Sequence, residues 1–474
     1  MDKSIITNYN GTLLHLLNIV KKSMLEDSGL EHSYHPFSKC QINYYRNPNH
    51  IEKRYKQFSI KKKTGGFRTI TAPQTKTFKM LLQCLNEIYK AFYTPSEYAM
   101  GFVEGRSIVT NAEIHKNQNY ILNIDLKDFF PSITQARVWK RLQLKPFNFS
   151  DKIASIFAGL CCMKETIKDE NGKESVRYVL PQGAPTSPII TNMICDTLDH
   201  RLAGVAKRFG LRYSRYADDI TFSSMHNVYQ KDGEFWKELN RIITQQGFTI
   251  NEKKTRLQKL GERQEVTGVI VSKKLNVSQK YVKNIRNILY IWGKYGFIAA
   301  QSKFLPKYKA DKGHVKKGNP DMINVLEGKL LYLKMVKGEE DSVYQRLWQK
   351  FEALKNEALG VLKTNTYSNV TYIETLPLAD FEKDNGEVVI TYNEKKHKRY
   401  AFFKQNDQKE LVSVSLDITA EEEKAKDNFA ISLCQDANGK RFWLLHKKTK
   451  VTVPTPKPVD LDELNNDLDS LLNI

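Results

Sequence analysis

Apolar residues recur every three to four positions along several stretches of the chain, which is the spacing of amphipathic helices. The stretches with this spacing are 9–34, 78–92, 189–202, 281–295, 322–337 and 342–362. Shorter runs that mix aromatic and β-branched residues with polar ones predict strands at 67–71, 120–124, 211–215 and 220–223. A turn signal at 169–172 also predicts a hairpin within 164–179. Because helices and strands are mixed in this way, the pattern favours an α+β fold.

The pattern changes after the polar stretch 363–369. Beyond it, apolar and polar residues alternate, which predicts five strands at 388–392, 400–403, 411–416, 429–433 and 441–445. An Asn438-Gly439 turn is predicted before the last of these strands. We expect a small antiparallel sheet or barrel here. A spacer stiffened by Pro454, Pro456 and Pro458 follows, and the last residues predict an acidic amphipathic helix. That helix would dock on the protein's own basic surface or on a partner.

The chain carries a large excess of positive charge, with 74 Lys and Arg against 53 Asp and Glu and a formal net charge of +21. A polyanionic partner such as a nucleic acid is the simplest reason for a protein to tolerate this self-repulsion. The 474 residues are enough for several domains. Neither a run of about eighteen apolar residues nor the apolar stretch of a secretory signal is present. The six cysteines show no disulfide or zinc spacing, so we expect a cytoplasmic protein with reduced thiols.

Three aspartates lie at the ends of predicted strands. Asp125 follows the apolar run Tyr120–Ile124, and Asp218 and Asp219 lie between two predicted strands, at the tip of a hairpin. A carboxylate at the end of a buried strand is costly unless it binds a cation or a donor. Hard divalent cations prefer such oxygen ligands, and a pair of them can clamp the attacking and leaving oxygens of a phosphoryl transfer. The three aspartates therefore predict a site for two metal ions.

Five segments, in this order and at this spacing, resemble the motifs of reverse transcriptases. They are the basic segment Lys63–Arg68, Asp125 with Phe129 and Phe130, Gln182-Gly183 with Ser187-Pro188, the Tyr216–Asp219 tetrapeptide, and Gly247–Thr255. The resemblance implies a right-hand polymerase with fingers, palm and helical thumb, followed by the β-rich C-terminal module. The implied parts are the N-terminal helix and fingers at 1–100, the palm with the remaining fingers at 101–275, the thumb at 276–363, the β-rich module at 370–453, and the spacer with the acidic tail at 454–474.

Two further elements resemble bacterial retron reverse transcriptases. Asn111 and His115 match an Asn-Ala-x-x-His element, and Val266-Thr267-Gly268 matches a Val-Thr-Gly triplet in the region that recognises the cognate RNA. The resemblance covers roughly residues 30–345. Another bacterial defence-associated reverse transcriptase, or one related to group II introns, is the first alternative. A non-catalytic RNA-binding scaffold with a polymerase fold is the second.

The resemblance also implies roles for single residues in joining a primer hydroxyl to a dNTP. Asp125, Asp218 and Asp219, with the backbone carbonyl of Leu126, would form a site for two Mg²⁺ ions, for which Mn²⁺ can substitute. The residues implied to bind the dNTP are Arg68, Lys63, Phe130, Gln182 and Gly183, with Phe130 excluding the 2′-hydroxyl of rNTPs. Lys254 is a candidate acid for protonating pyrophosphate, and a solvated surface lysine is the alternative for that residue.

A last group of residues is predicted to contact primer or RNA. Its members are Tyr216, Asn111, His115, Thr267, Gly268, Lys307, Lys309, Lys316 and Lys317. The lysines belong to a basic, aromatic-bearing loop expected in the thumb, and His115 has a structural role as its alternative. The implied partners are a structured noncoding RNA that serves as template and primer, the DNA product and dNTPs. An effector protein in anti-phage defence, or a second copy of the chain, would bind through the C-terminal module.

Overall fold

The computed structural model describes residues 3–61, 65–168, 172–312, 321–364, 371–393, 398–405, 408–414, 428–435 and 441–447. The chain forms two compact units. The first contains residues 1–283, 305–320 and 328–344, and the second contains 284–304, 321–327 and 345–474. Predicted residues Lys63, Lys316 and Lys317, and the spacer and acidic tail at 454–474, lie outside the described residues.

Among the described residues, more lie in helices than in strands. In chain order the helices are α1 Lys3–Thr7, α2 Leu13–Glu26, α3 Lys39–Arg46, α4 Lys76–Phe92, α5 Ile108–Ile114, α6 Gln135–Gln143, α7 Asp151–Cys161, α8 Ser187–Arg208, α9 Glu234–Gln245, α10 Gln279–Tyr295, α11 Phe297–Lys312, α12 Met322–Lys337, α13 Ser342–Thr364 and α14 Leu378–Asn385. Short 3-10 helices cover Glu31–Ser33 and Pro48–Lys53. No helix in the described ranges is long and apolar enough to cross a lipid bilayer.

The strands of the described residues form five sheets. In chain order they are β1 Tyr55–Lys61, β2 Phe67–Pro73, β3 Tyr120–Asp125, β4 Met163–Lys168, β5 Glu174–Val179, β6 Arg212–Tyr216, β7 Asp219–Ser224, β8 Arg256–Lys259, β9 Glu265–Val266, β10 Val269–Ile270, β11 Thr371–Pro377, β12 Val389–Asn393, β13 Lys398–Gln405, β14 Gln408–Val414, β15 Phe429–Gln435 and β16 Arg441–Lys447. β1 pairs with β2, β4 with β5 and β9 with β10, each pair antiparallel.

The central sheet of the first unit has four antiparallel strands in the order β6-β7-β3-β8. β3 is central because its apolar residues Ile121, Leu122 and Ile124 are buried, as expected for a strand covered by other elements. Helix α8 belongs to the same hydrophobic core; its first half is buried on nearly all sides, and the charged Asp199 is buried in its second half. The sheet therefore presents the ends of β3, β6 and β7 on a rigid, well-packed base.

The β-rich module of the second unit is a six-stranded sheet in the order β11-β15-β16-β14-β13-β12. Its core contains Phe381, Phe403 and Phe429, with Trp443 packed against them. The expected antiparallel arrangement needs a correction, because β14 and β16 run parallel. Strand β11 and helix α14 were also not predicted. Their sequence, Thr371–Asn385, lacks a clear alternation of apolar and polar residues.

The predicted loop with Lys303, Lys307 and Lys309 is instead helix α11, which continues through Pro306. The prediction was wrong because lysines and a proline are typical of loops, whereas a proline inside a helix removes one backbone hydrogen bond and can be accommodated by a kink. Lys309 is exposed on this helix, and the side chain of Lys307 lies outside the described atoms. The predicted hairpin within 164–179 is confirmed by β4 and β5.

Candidate active site

The central sheet brings the three aspartates together. Asp125 at the end of β3 pairs in register with Asp219 at the start of β7. Asp218 lies in the two-residue turn that joins β6 to β7, where Tyr216 pairs with Asp219. The amide of Leu126 donates a hydrogen bond to the carbonyl of Asp218 at 3.1 Å, so the Leu126 backbone lies beside the turn. Three carboxylates therefore share one edge of the sheet.

The turn between β6 and β7 is strained. Ala217, its first central residue, has a φ of +57°, a left-handed conformation that is uncommon for any residue with a side chain. Such strain persists only when the surrounding structure holds it in place. Two sets of contacts do so here, one made by Gly101 and one made by Arg215.

Gly101 packs directly against the turn. A Cβ atom at this position would lie 2.6 Å from the amide nitrogen of Ala217, so only glycine fits without a shift of the backbone. The neighbouring Met100 amide donates to the carbonyl of Arg215 at 2.7 Å, which fixes the segment to β6. The side chain of Asn192, on α8, donates to the Gly101 carbonyl at 3.0 Å. The turn is thus backed by a chain segment that is itself anchored.

Arg215 holds the turn from inside the core. Its guanidinium binds both carboxylate oxygens of Asp199 at 2.7 Å, and both side chains are fully buried. It also donates to the carbonyl of Ala217 and to the side chain of Asn192, each at 3.1 Å. The Tyr213 hydroxyl adds a third hydrogen bond to Asp199. Because the planar fork of arginine fixes geometry as well as charge, this network sets the position of the strained turn.

Partial removal from water and mutual repulsion raise the pKa values of two of these carboxylates. Desolvation, followed by repulsion from Asp218 and Asp125, raises the pKa of Asp219 to about 6, although the side chain keeps solvent access along a groove. Desolvation also raises the pKa of Asp218, and Asp125 adds to the shift, whereas Lys254 and Arg68 lower it. The site is therefore one that a bound cation would stabilise.

Asp125 has two partners in this structure. Asn251 donates from its side chain to one carboxylate oxygen at 2.8 Å, and the Lys254 ammonium binds the other oxygen at 2.8 Å. The hydrogen bond to Asp125 raises the pKa of Lys254, which remains largely exposed. The ammonium of Lys254 thus supplies positive charge to the carboxylate.

The donor set fits a divalent metal ion in chemistry but is only partly assembled. Aspartate oxygens are the ligands that hard divalent cations take. Among the described residues, however, no group of three or more His, Cys, Asp or Glu side chains converges closely enough to hold a metal ion. Asp125 would have to exchange its contact with Lys254 for such an ion. Divalent metal ions are in general use among reverse transcriptases, and the raised pKa values of Asp218 and Asp219 agree with a cation site.

An open cleft of about 580 Å³ reaches Asp125 and Asp219. It is also lined by Tyr216 and Lys254, and by Thr267 and Gly268. Thr267 and Gly268 form the two-residue turn between β9 and β10, with φ values of +47° and +85°. Positive φ at both positions is the geometry of a type I′ hairpin turn, which a threonine adopts only under strain. The structure therefore places the Val-Thr-Gly triplet beside the aspartates.

Predicted dNTP-binding residues lie on two neighbouring segments. The amide of Thr71, on β2, donates to the carbonyl of Gln182 at 2.8 Å, which joins the Gln182-Gly183 loop to that strand. Gly183 has a φ of +134°, and a Cβ there would lie 2.9 Å from the Thr71 carbonyl. Arg68, on β2, is exposed and close enough to Asp218 to lower its pKa. Arg68, Gln182 and Gly183 thus belong to one connected surface next to the aspartates.

The two phenylalanines after Asp125 differ in burial. Phe129 is 3% exposed and stacks on Phe248 with ring centroids 5.6 Å apart, so it is a core residue. Phe130 is half-buried and keeps one side open. Its ring lies 5.6 Å from Phe129 and 6.3 Å from Phe102, which is exposed and has a φ of +63°. Phe130 is therefore the more accessible of the two rings.

The predicted RNA contacts of Asn111 and His115 are wrong, and the structural role that was the alternative for His115 is confirmed. Both side chains are fully buried, so neither can contact RNA directly. His115 binds the hydroxyls of Ser214 on β6 and Ser223 on β7, each at 2.7 Å. Asn111 accepts from Ser214 at 2.6 Å and donates to the Thr267 hydroxyl at 3.4 Å. The Asn-Ala-x-x-His element thus supports the central sheet and the Thr267 turn from behind.

The burial of His115 predicts a pH dependence of stability. Desolvation, with a smaller effect of Arg212, lowers the pKa of His115 to about 3, whereas the unfolded chain takes up this proton near pH 6.5. Stability is therefore fully present above about pH 6.5 and is lost as the pH falls towards 3. On the order of 2 kcal/mol should disappear between pH 7 and 5. Denaturant unfolding at both pH values should show a smaller loss for His115→Gln than for the wild type.

The matched control is His200→Gln, since His200 is exposed on α8. We expect its pH dependence to equal that of the wild type. If His115→Gln kept the full wild-type loss, another group would carry the acid sensitivity.

Sequence reasoning missed the residues that hold the strained turn. Arg215 and Asp199 were passed over because neither belongs to a recognised motif. One signal was present: each is a charged residue within a segment that otherwise reads as buried, and buried charges are normally paired.

The motif-bearing part of the chain matches known proteins. A family model described as reverse transcriptase (RNA-dependent DNA polymerase) matches residues 60–283. The retron Mx65 reverse transcriptase of Myxococcus xanthus is 33% identical over 307 residues, which are 62% of this chain and 64% of the relative. The retron Ec86 reverse transcriptase of Escherichia coli is 36% identical over 238 residues, 49% of this chain and 68% of the relative. The chain belongs to the retron reverse transcriptase family.

The similarity to these relatives covers only part of each chain. The retron Mx162 reverse transcriptase of Myxococcus xanthus is 35% identical, and the match covers 46% of this chain and 47% of the relative. The chain thus spans about half to two thirds of the length of these relatives. Among solved structures, telomerase from Candida albicans with a TWJ fragment of telomeric RNA has a TM-score of 0.34 and 12% identity, covering 72% of this chain and 68% of that chain. That likeness is too low to add to the argument.

Proposed function

We propose that the chain is an RNA-directed DNA polymerase of the retron type. It would copy a structured noncoding RNA, which serves as template and primer, into single-stranded DNA that stays linked to RNA, as part of anti-phage defence. The observation that carries the proposal is the alignment of Asp125 with Asp219 across β3 and β7, with Asp218 in the adjoining turn. Residues 1–100 would act as fingers, 101–275 as the palm with the remaining fingers, and 276–363 as the thumb.

Asp125, Asp218 and the Leu126 carbonyl would hold two divalent cations, proposed to be Mg²⁺, with Asp219 supporting them. When bound, such ions stabilise charge on the attacking and leaving oxygens of the phosphoryl group. Lys254 would leave Asp125 and turn to the leaving group, where its ammonium can donate a proton to pyrophosphate. Away from Asp125 the amine would still carry its proton at neutral pH, because the ordinary pKa of a lysine is about 10.4.

The nucleotide would lie against the connected surface of β2 and the Gln182 loop. Arg68 suits the triphosphate because its planar guanidinium matches phosphate oxygens, and Lys63 would add a second charge. Gln182 and Gly183 would line the space for the new base pair. Tyr216 would underlie the primer end, since it lines the same cleft as Asp125 and Asp219.

Recognition of the RNA would use exposed rather than buried groups. Thr267 and Gly268 line the cleft and remain candidates for contacts with the cognate RNA. Lys309 is exposed on α11 and suits contact with phosphates, as do Lys307, Lys316 and Lys317 by their charge. Individual side chains of this kind can recognise RNA that is single-stranded or looped, because its bases are accessible there.

The nucleic acid that copurifies with the protein tests this function. We expect sequencing to find a branched RNA–DNA product, and purified protein with Mg²⁺ to extend a primer on an RNA template. Untethered DNA or a homopolymer would favour another bacterial reverse transcriptase. Absence of primer extension would favour a non-catalytic RNA-binding scaffold.

Phe130 gives a test of sugar selection. Phe130→Ala should weaken the preference for dNTPs over rNTPs by about tenfold or more, because a smaller side chain leaves room for the 2′-hydroxyl. Incorporation of both nucleotides, measured side by side as kcat/KM, gives the ratio. Phe130→Tyr keeps the ring and is the matched control, which should retain the wild-type preference. An unchanged ratio in Phe130→Ala would place the selection at another residue.

A further inference from the structure

A second, larger cleft lies on the first unit and shares no lining residue with the cleft at the aspartates. Its volume is about 1120 Å³. Its walls come from the end of α3 with the 3-10 helix Pro48–Lys53, from α6 and α7, and from β5. We call it the α6–α7 cleft. None of its residues belongs to the reverse transcriptase motifs or takes part in the proposed chemistry.

Arg54 lies at the base of the α6–α7 cleft with only 2% of its surface exposed. Its guanidinium donates to the carbonyls of Gly159 at 2.6 Å and Asn47 at 3.2 Å. Its Nε atom is buried and has no hydrogen-bond partner among the described residues. Both acceptors are neutral carbonyls, so in this part of the chain the guanidinium charge has no carboxylate bound to it. A buried cation of this kind is stabilised by an anion that enters the cleft.

The rest of the lining adds positive charge. Four basic residues line the cleft, against the single carboxylate of Asp151. Arg46 and Lys152 are exposed at the rim. Arg177 binds Glu165 at 2.6 Å, so it is partly neutralised. Asp151 accepts a hydrogen bond from the Trp139 indole at 3.1 Å, which occupies that carboxylate and fixes the ring.

Two aromatic residues accompany these cations. Trp139 is half-buried with its indole held by Asp151, and Tyr178 is 42% exposed. Aromatic faces next to basic side chains are the combination that binds single-stranded nucleic acid, because bases stack and phosphates pair with the cations. The cleft is open, and its volume exceeds the range of about 300–1,000 Å³ that encloses small ligands. A cleft that is open and larger than this range can hold a strand that passes through it.

We propose that the α6–α7 cleft binds a single-stranded segment of nucleic acid, with phosphates on the exposed Arg46 and Lys152, the buried charge of Arg54 beneath them, and a base against Tyr178 or Trp139. The inference rests on the proposed nucleic-acid function and adds to it a contact away from the aspartates. Arg54 supplies the charge at the base, the two rim residues guide the backbone, and the aromatic rings bind without reading the sequence.

Binding of a mixed-sequence single-stranded RNA oligonucleotide to the full chain, measured at several salt concentrations, tests the proposal. Arg46→Ala with Lys152→Ala should weaken binding and lower the slope of log K against log salt by about 1.4, at roughly 0.7 per lost phosphate contact. Tyr178→Ala should weaken binding about tenfold with little change in slope, because it removes stacking and no charge. These residues are exposed, so folding should persist, and thermal unfolding verifies it.

The matched control is Lys79→Ala with Lys207→Ala, which removes two exposed charges from α4 and α8 outside the cleft. The slope should fall less in the control than in the rim variant. Equal slopes in the two double variants, or unchanged affinity in Tyr178→Ala, would overturn the proposal. It would also be overturned if the variants lost affinity for AMP but not for RNA, since the cleft would then take a mononucleotide. If the wild-type protein did not extend a primer, the polymerase function would be refuted instead. The failure of the cleft proposal and the failure of the polymerase function therefore give different results.

Discussion

Asp218→Asn combined with Asp219→Asn should abolish DNA synthesis while RNA binding persists. The two carboxylates provide negative charge for divalent cations, and an amide cannot replace it. Losing this transition-state stabilisation should cost about 4 kcal/mol or more, which is roughly a thousandfold in rate. The exposed basic surface that binds phosphates is unchanged. Primer extension and RNA affinity, measured on the same preparation, give the two results.

The same variant should unfold at an equal or higher temperature than the wild type. Desolvation and mutual repulsion raise the pKa values of Asp218 and Asp219, so their ionised forms destabilise the folded chain at neutral pH. Neutral amides should remove this free-energy cost of holding two ionised carboxylates in the folded chain. Such a cost is expected at a functional site, where activity often requires an arrangement that destabilises the fold. Asp232→Asn, an exposed change in the loop before α9, is the control and should leave synthesis intact. Appreciable synthesis by the double variant would mean that the metal site lies elsewhere.

The grouping of the three aspartates could be predicted from the sequence. An apolar strand that ends in Asp125 and a hairpin with Asp218 and Asp219 at its tip are local patterns, and antiparallel pairing brings such ends together. The division between Phe129 and Phe130 could be predicted as well, because it follows from the family motif. Local pattern was sufficient in both cases, since each residue's position depends mainly on its own strand or turn.

The supporting role of Asn111, and the choice between an RNA contact and a structural role for His115, could not be predicted in this way. Their short polar element reads as a surface motif, and only the long-range pairing with Ser214 and Ser223, 99 and 108 residues away from His115, buries it. Helix α11 was missed for the opposite reason. Its lysines and Pro306 are locally typical of a loop, and it has no marked apolar face to indicate a helix. Tertiary packing decided the outcome for Asn111 and His115.

The position of the turn depends on the Arg215–Asp199 pair, and removing one partner should be severely destabilising. Asp199→Leu leaves the Arg215 guanidinium buried without its carboxylate, a change that costs about 3–5 kcal/mol. Denaturant unfolding measures the loss. Arg241→Ala, which breaks an exposed pair with Glu238 on α9, is the control and should cost less than about 1 kcal/mol.

The double variant Arg215→Met with Asp199→Leu separates stability from positioning. Well-packed apolar residues can replace a buried ion pair at little cost, so the double variant should recover much of the stability that Asp199→Leu loses. Synthesis should stay low, because methionine cannot donate to the carbonyl of Ala217 and the strained turn loses its support. A reduced kcat at an unchanged affinity for RNA is the expected signature. If the double variant regained both stability and full synthesis, the turn would hold its position without Arg215, and Gly101 with its anchored segment would be sufficient to keep Asp218 beside Asp125.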